Sequence, residues 1–130
     1  MDKIALEGAI NGCDNSTCNE WRQLVIRELS GLYVFHNPMD FDCRGREREL
    51  RDEIVKYDEH GMATSDIILV NAVEPSWGTA IGIGFCWSLQ KKIITICEDN
   101  DPSPWLSDRS TVMVTSVEEA IKLLRDTSAA

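Results

Sequence analysis

The segment Ile67-Ile68-Leu69-Val70, bounded by Asp66 and Asn71, is an unbroken apolar run. A strand that faces water on one side alternates apolar and polar residues, so this run suits a central strand buried on both faces. Such a strand needs a covering layer above and below it. Further segments at 3–6, 32–36, 93–97 and 111–114 read as four more strands. The segments between them carry helical periodicity. Strand alternating with helix predicts a mainly parallel sheet covered by helices on both faces.

The first helix is expected from about Thr17 to Leu29, where Trp21, Leu24, Val25 and Leu29 share a face and Thr17 and Glu20 have capping-box spacing. Asn37-Pro38 stops the second strand, and residues 37–46 form a polar connection. A second helix is expected over 47–60. Leu50, Ile54 and Asp58 recur there at every fourth position, which puts an acid on the apolar stripe. Burying that carboxylate alone is costly, so it must find partners or point into a pocket. A turn over 74–79 leads into a third helix that ends near Gln90. Ser116 caps a last helix, with Glu118 and Glu119 in its first turn and Lys122 and Arg125 expected near its end.

Composition narrows the function. The net charge is −9, from 13 basic and 22 acidic residues, and the run Arg44, Arg46, Arg48 and Arg51 is interrupted by acids. Duplex binding needs clustered cations, so no nucleic-acid duplex is expected as partner. No apolar run approaches the ~18 residues of a membrane span. The five cysteines, at 13, 18, 43, 86 and 97, form no CxxC pair and accompany only two histidines. That excludes the usual zinc frameworks, and neither metal nor cofactor is expected. Cys86 and Cys97 lie in apolar stretches and read as core residues. Free thiols without a basic-then-apolar leader point to a cytoplasmic location.

The chain is expected to form a single α/β domain over 1–130, three-layered and flavodoxin-like (Rossmann-like), with five parallel strands in order 2-1-3-4-5. Ligands bind such sheets outside the carboxyl ends of the strands, where strand order reverses. The crevice then falls between strands one and three, at loops 8–13 and 74–79. The helix after Ser76 would aim free N–H groups at the same place, which suits an anion. Glycine-rich loops also occur simply as tight turns. Gly78, Gly82 and Gly84 follow the third strand and do not make GxGxxG, so dinucleotide binding through that motif is not indicated.

Several segments, taken in order, resemble the nucleoside 2-deoxyribosyltransferases and related nucleotide N-glycoside hydrolases. They are Ile4-Ala5-Leu6-Glu7-Gly8-Ala9-Ile10-Asn11-Gly12, Asn37-Pro38, Arg44-Gly45-Arg46-Glu47, Asp58, Ser65-Asp66-Ile67-Ile68-Leu69-Val70, Pro75-Ser76-Trp77-Gly78-Thr79-Ala80 and Ser103-Pro104-Trp105-Leu106. The resemblance implies cleavage of an N-glycosidic bond by a glutamate that attacks the anomeric carbon. It also implies a first-strand tyrosine that positions the glutamate, an aspartate on the second helix, and a neighbouring subunit that completes the pocket.

Two positions depart from that pattern. The family reads Gly-Thr-Ala-x-Glu-x-Gly, whereas this chain has Gly82 at the glutamate position, and Ala5 replaces the tyrosine. Asp58 matches the aspartate. Ser76 is similar to the serine of phosphate-binding members, which favours a phosphorylated ligand because a hydroxyl donates to phosphate where an acid repels it. The resemblance thus implies ligand contacts from Glu7, Gly8, Asn11, Gly12, Asp58, Ser76, Trp77, Gly78 and Thr79, with Gly82 and Asp58 at the catalytic positions. One reading is a nucleotide-binding protein without its nucleophile, serving to sense or sequester a signalling nucleotide. Another is an active N-glycosidase or deoxyribosyltransferase acting on a nucleoside 5′-monophosphate through Glu7, Glu74, Asp58 or water. A third is an interaction module. A small-molecule nucleotide and further copies of the chain, as a homodimer or higher homo-oligomer, are the expected partners; Trp77, Trp87 and Trp105 exceed the needs of one small core.

Overall fold

The computed structural model describes residues 1–129. Five parallel strands, β1 (Lys3–Gly8), β2 (Val34–His36), β3 (Ile67–Asn71), β4 (Lys92–Ile96) and β5 (Val112–Val114), form one sheet in the order β2-β1-β3-β4-β5. The helices are α1 (Asn15–Glu28), α2 (Arg51–Ala63), α3 (Trp77–Ser88), α4 (Pro104–Arg109) and α5 (Val117–Ala129). The expected fold class and strand order are what is observed.

The pleat explains the two cores. Ile4 and Leu6 of β1, Ile67 and Leu69 of β3, and Ile94 and Ile96 of β4 pack with Val25 and Leu29 of the α1 segment and with Ala120, Ile121 and Leu124 of α5. The alternate residues, Ala5, Ile68, Val70 and Ile93, pack with Met62 of α2 and with Ile83 and Cys86 of α3. Successive side chains of a strand leave by opposite faces, so the unbroken run in β3 feeds both layers. The α2/α3 layer forms one wall of the candidate site.

Several expected boundaries move. β1 continues through Glu7 and Gly8. The cap of α1 is Asp14, whose side chain accepts from the Thr17 N–H at 2.8 Å, so Thr17 lies inside the helix and is not its capping residue. Asp14 wins because a carboxylate near free N–H groups is also favoured by the helix dipole. α2 starts at Arg51, not at 47; Leu50 precedes it and offers no capping side chain. α5 runs on to Ala129, which leaves Lys122 and Arg125 mid-helix; they pair with Asp126 and Glu28. The segment Pro104–Arg109, read only as a motif in the sequence, is a helix capped by Ser103.

Candidate functional site

A cavity of about 410 Å³ opens where β1 and β3 end, between α2 and α3. Glu7, Gly8, Asn11, Asp58, Ser76, Gly78, Thr79 and Gly82 all line it. The fold thus brings together eight of the ten residues singled out in the sequence. Gly12 and Trp77 are not in its lining. Gly12 is exposed at φ +76°, where its freedom closes the turn after β1. Trp77, the first residue of α3, is 87% exposed.

Glu7 is placed by strand parity. It shares the face of Ala5, so it leaves the sheet toward α2 and α3. Arg22 fixes the strand end around it. This arginine is fully buried and donates to the backbone carbonyls of Leu6 (3.1 Å), Gly8 (3.1 Å) and Cys18 (2.6 Å). Its guanidinium is committed to carbonyls and makes no hydrogen bond to Glu7. The Oε2 atom of Glu7 is buried without a hydrogen-bond partner, and so is Nε2 of His36. These atoms lie 4.0 Å apart, while Asp58 Oδ1 lies 3.5 Å from the same Nε2. Both separations exceed a good hydrogen bond. Burial, with the Asp58 carboxylate adding to it and Arg22 opposing it, pushes the Glu7 carboxyl from 4.5 up to about 8. Glu7 is therefore mostly neutral at pH 7.

His36 is a functional candidate that the sequence pattern did not single out. Its ring tilts against Tyr57 at 5.2 Å and lies so close to Gly61 of α2 that a Cβ there would run into it. Gly61 is the structural signal: a glycine inside a helix carries a cost that close approach of another group explains. Met62, Phe41, Cys43 and Phe85 contribute to the apolar lining.

Gly82 forms part of the cavity wall, and a Cβ added to it would meet Met62 Sδ at 3.3 Å. Ala5 is fully buried among Met62, Ile68 and Val70, so the space of a larger side chain at position 5 is filled by core packing. Ser76 caps α3: its Oγ accepts from the Thr79 N–H at 3.3 Å, leaving the hydroxyl proton free to donate. The charged lining is unevenly distributed. Glu47, Arg51, Asp58 and Glu59 come from the chain around α2, three acids and one cation, whereas the α3 side offers Ser76, Gly78 and Thr79 and no carboxylate. The α3 side suits an anionic group through its helix N-terminus and its lack of a carboxylate. A second depression, of about 420 Å³ at the same end of the sheet but toward α1 and α5, carries Glu20, Glu74, Glu98 and Glu118 and would repel a phosphate.

The family model described as nucleoside 2-deoxyribosyltransferase matches residues 11–124. No curated protein matches the sequence. Among solved structures, a CMP N-glycosidase from Clostridium botulinum is similar at a TM-score of 0.61 and 18% identity, over 95% of this chain and 98% of that one. A 2-deoxyribosyltransferase from Bacillus psychrosaccharolyticus is similar at 0.72 and 16% identity, over 92% and 90%. A conserved protein from Enterococcus faecalis V583 is similar at 0.69 and 11% identity, over 98% and 99%.

Proposed function

The chain belongs to the nucleoside 2-deoxyribosyltransferase family, and from that membership we propose that it binds a nucleotide in the β1/β3 cavity and holds it without the covalent step. The carrying observation is Gly82. It stands in the cavity wall at the position where the resemblance places the attacking glutamate, and it has no carboxylate to form a glycosyl intermediate. The phosphate is assigned to the α3 side, near Ser76, Gly78 and Thr79, and the base and sugar to the side of Asp58 and Glu7. A protein of this kind senses or sequesters its nucleotide. It works as a homo-oligomer in the cytoplasm, and light scattering at micromolar concentration checks the assembly.

The test mixes pure protein with a panel of nucleoside monophosphates and follows both the protein-bound and free fractions by mass spectrometry. Retained, unchanged nucleotide supports the reading; release of free base overturns it. A second reading is favoured by one observation: of the four carboxyl groups that line the cavity, Glu7 and Asp58 converge on the same His36 nitrogen. An N-glycosidase could use the neutral one to protonate the departing base and the other to activate water. Base release that is lost in Asp58→Asn would establish that reading instead.

A further inference from the structure

The β1 end of the cavity holds a carboxyl group that makes no hydrogen bond to the protein. Glu7 is about nine-tenths buried and lines the cavity, yet its Oε2 has no hydrogen-bond partner. Oε2 is sealed against the equally unpartnered His36 Nε2, so Oε1, which makes no protein hydrogen bond either, is the oxygen that a ligand in the cavity can meet. The surroundings also decide which form of the carboxyl is present. Arg22 on α1 directs three of its N–H donors to the carbonyls of Leu6, Gly8 and Cys18 and makes no hydrogen bond to Glu7. Asp58 on α2 adds a second acid within reach of the same His36 nitrogen. An ionised Glu7 would be buried with no donor closer than the His36 Nε2 at 4.0 Å and beside a like charge, which is the costly case.

We propose that Glu7 is the ligand-reading hydrogen-bond donor of this cavity: its carboxylic acid O–H donates to an acceptor on the nucleoside end of the ligand, a carbonyl oxygen or ring nitrogen of the base. His36 is a positioning residue. It backs the carboxyl at 4.0 Å and is itself held by Gly61 and Tyr57. The inference rests on the nucleotide-binding reading and adds to it a specific donor and a pH dependence. Only the protonated acid donates, so affinity holds below about pH 8 and falls as Glu7 ionises above it. The other titratable groups facing Glu7 are Arg22 from α1, His36 from β2, Asp58 from α2 and Cys86 from α3. Burial pushes the Cys86 thiol up to about 12, so it stays neutral throughout that window. Tyr57, beside His36, is likewise raised above the usual phenol range by burial.

The experiment uses the full chain and four probes, CMP, UMP, AMP and GMP, by calorimetry at pH 6.5 and 9.5. The best-bound probe should lose about tenfold or more in affinity at the higher pH, a drop of the size expected for one hydrogen bond to a buried group. Glu7→Gln keeps an N–H donor in the same place and should retain binding while losing the pH dependence. Glu7→Leu keeps the volume without the donor and should bind about tenfold more weakly at both pH values. Infrared spectroscopy of the free protein gives a readout that needs no ligand: a protonated-carboxyl C=O band at pH 6.5, absent from Glu7→Gln. Absence of that band, or nucleotide binding unaffected by Glu7→Leu, overturns the proposal and leaves the nucleotide-binding reading standing. Failure of all four probes to bind at either pH overturns both.

Discussion

Replacing Glu7 by glutamine should stabilise the protein by an amount that grows with pH. The folded state holds the Glu7 proton up to about pH 8, whereas the unfolded chain releases it near 4.5. A raised carboxyl pKa means that ionisation favours the unfolded chain. Below pH 4.5 both states are protonated and there is no penalty. Between the two values the native protein is progressively disfavoured, and above about 8 the penalty is complete. At about 1.4 kcal/mol per pKa unit, the cost is about 3 kcal/mol at pH 7 and about 5 kcal/mol once Glu7 is fully ionised. Glutamine fills the same space and never ionises, so it removes the pH-dependent part. Its own unpartnered amide adds an offset that does not change with pH. Urea unfolding of both proteins at pH 5.5, 7 and 8.5 reads the difference directly. The gap should widen by about 2 kcal/mol or more from the lowest to the highest pH, on a total stability of ordinary size. A gap that stays constant would refute the reasoning and mean that Glu7 finds a donor in the folded state.

Ser76→Asp should leave thermal stability within about 0.5 kcal/mol, because aspartate caps helices as well as serine does, while weakening a nucleoside monophosphate at least tenfold by calorimetry through charge repulsion. Gly61→Ala should cost about 3 kcal/mol in chemical denaturation, the upper end of overpacking penalties, since its Cβ would collide with the His36 ring. Gly82→Glu should gain slow release of free base, measured by chromatography; its Cβ meets only the flexible end of Met62, which can turn aside, so the variant should fold.

The sheet was legible because hydrophobic patterning speaks directly to it. The run at 67–70 announced a doubly covered strand, and the loops after β1 and β3 followed from strand order alone. Asp58 was legible for a similar reason, as an acid on an apolar helical stripe, and it does line the cavity beside Ile54. Capping was harder to read. Asp14 and Thr17 are both good caps, and only the path of the chain decides which meets a free N–H. The start of α2 was misplaced because charged residues over 46–53 suit a helix by propensity, and the chain does make a turn over 47–50, closed by the Leu50 N–H to the Arg46 carbonyl at 3.0 Å, before the regular helix begins at Arg51. His36 left no pattern at all. A single histidine ending a three-residue strand has no periodicity, and its burial depends on Gly61, which is distant in sequence.

Glu7 and Gly82 bear on the same question from opposite walls of the cavity. The helix side lacks the carboxylate that the family resemblance calls for, and the strand side presents a carboxyl of its own. The two are not interchangeable. A nucleophile must be ionised, and a carboxyl held protonated to about pH 8 is a poor attacking group at neutral pH. The burial that disqualifies it as a nucleophile makes it a good donor, because a neutral acid can give a hydrogen bond where a carboxylate can only accept one. Asp58, more open than Glu7, could still act on water, but without an ionised group at position 82 nothing on the α3 side stabilises positive charge growing on the sugar. On the proposed reading the site combines a donor for the base, hydroxyl and amide groups for a phosphate, and an open space beside the sugar where the reaction would need charge. That combination favours holding a nucleotide over cutting it.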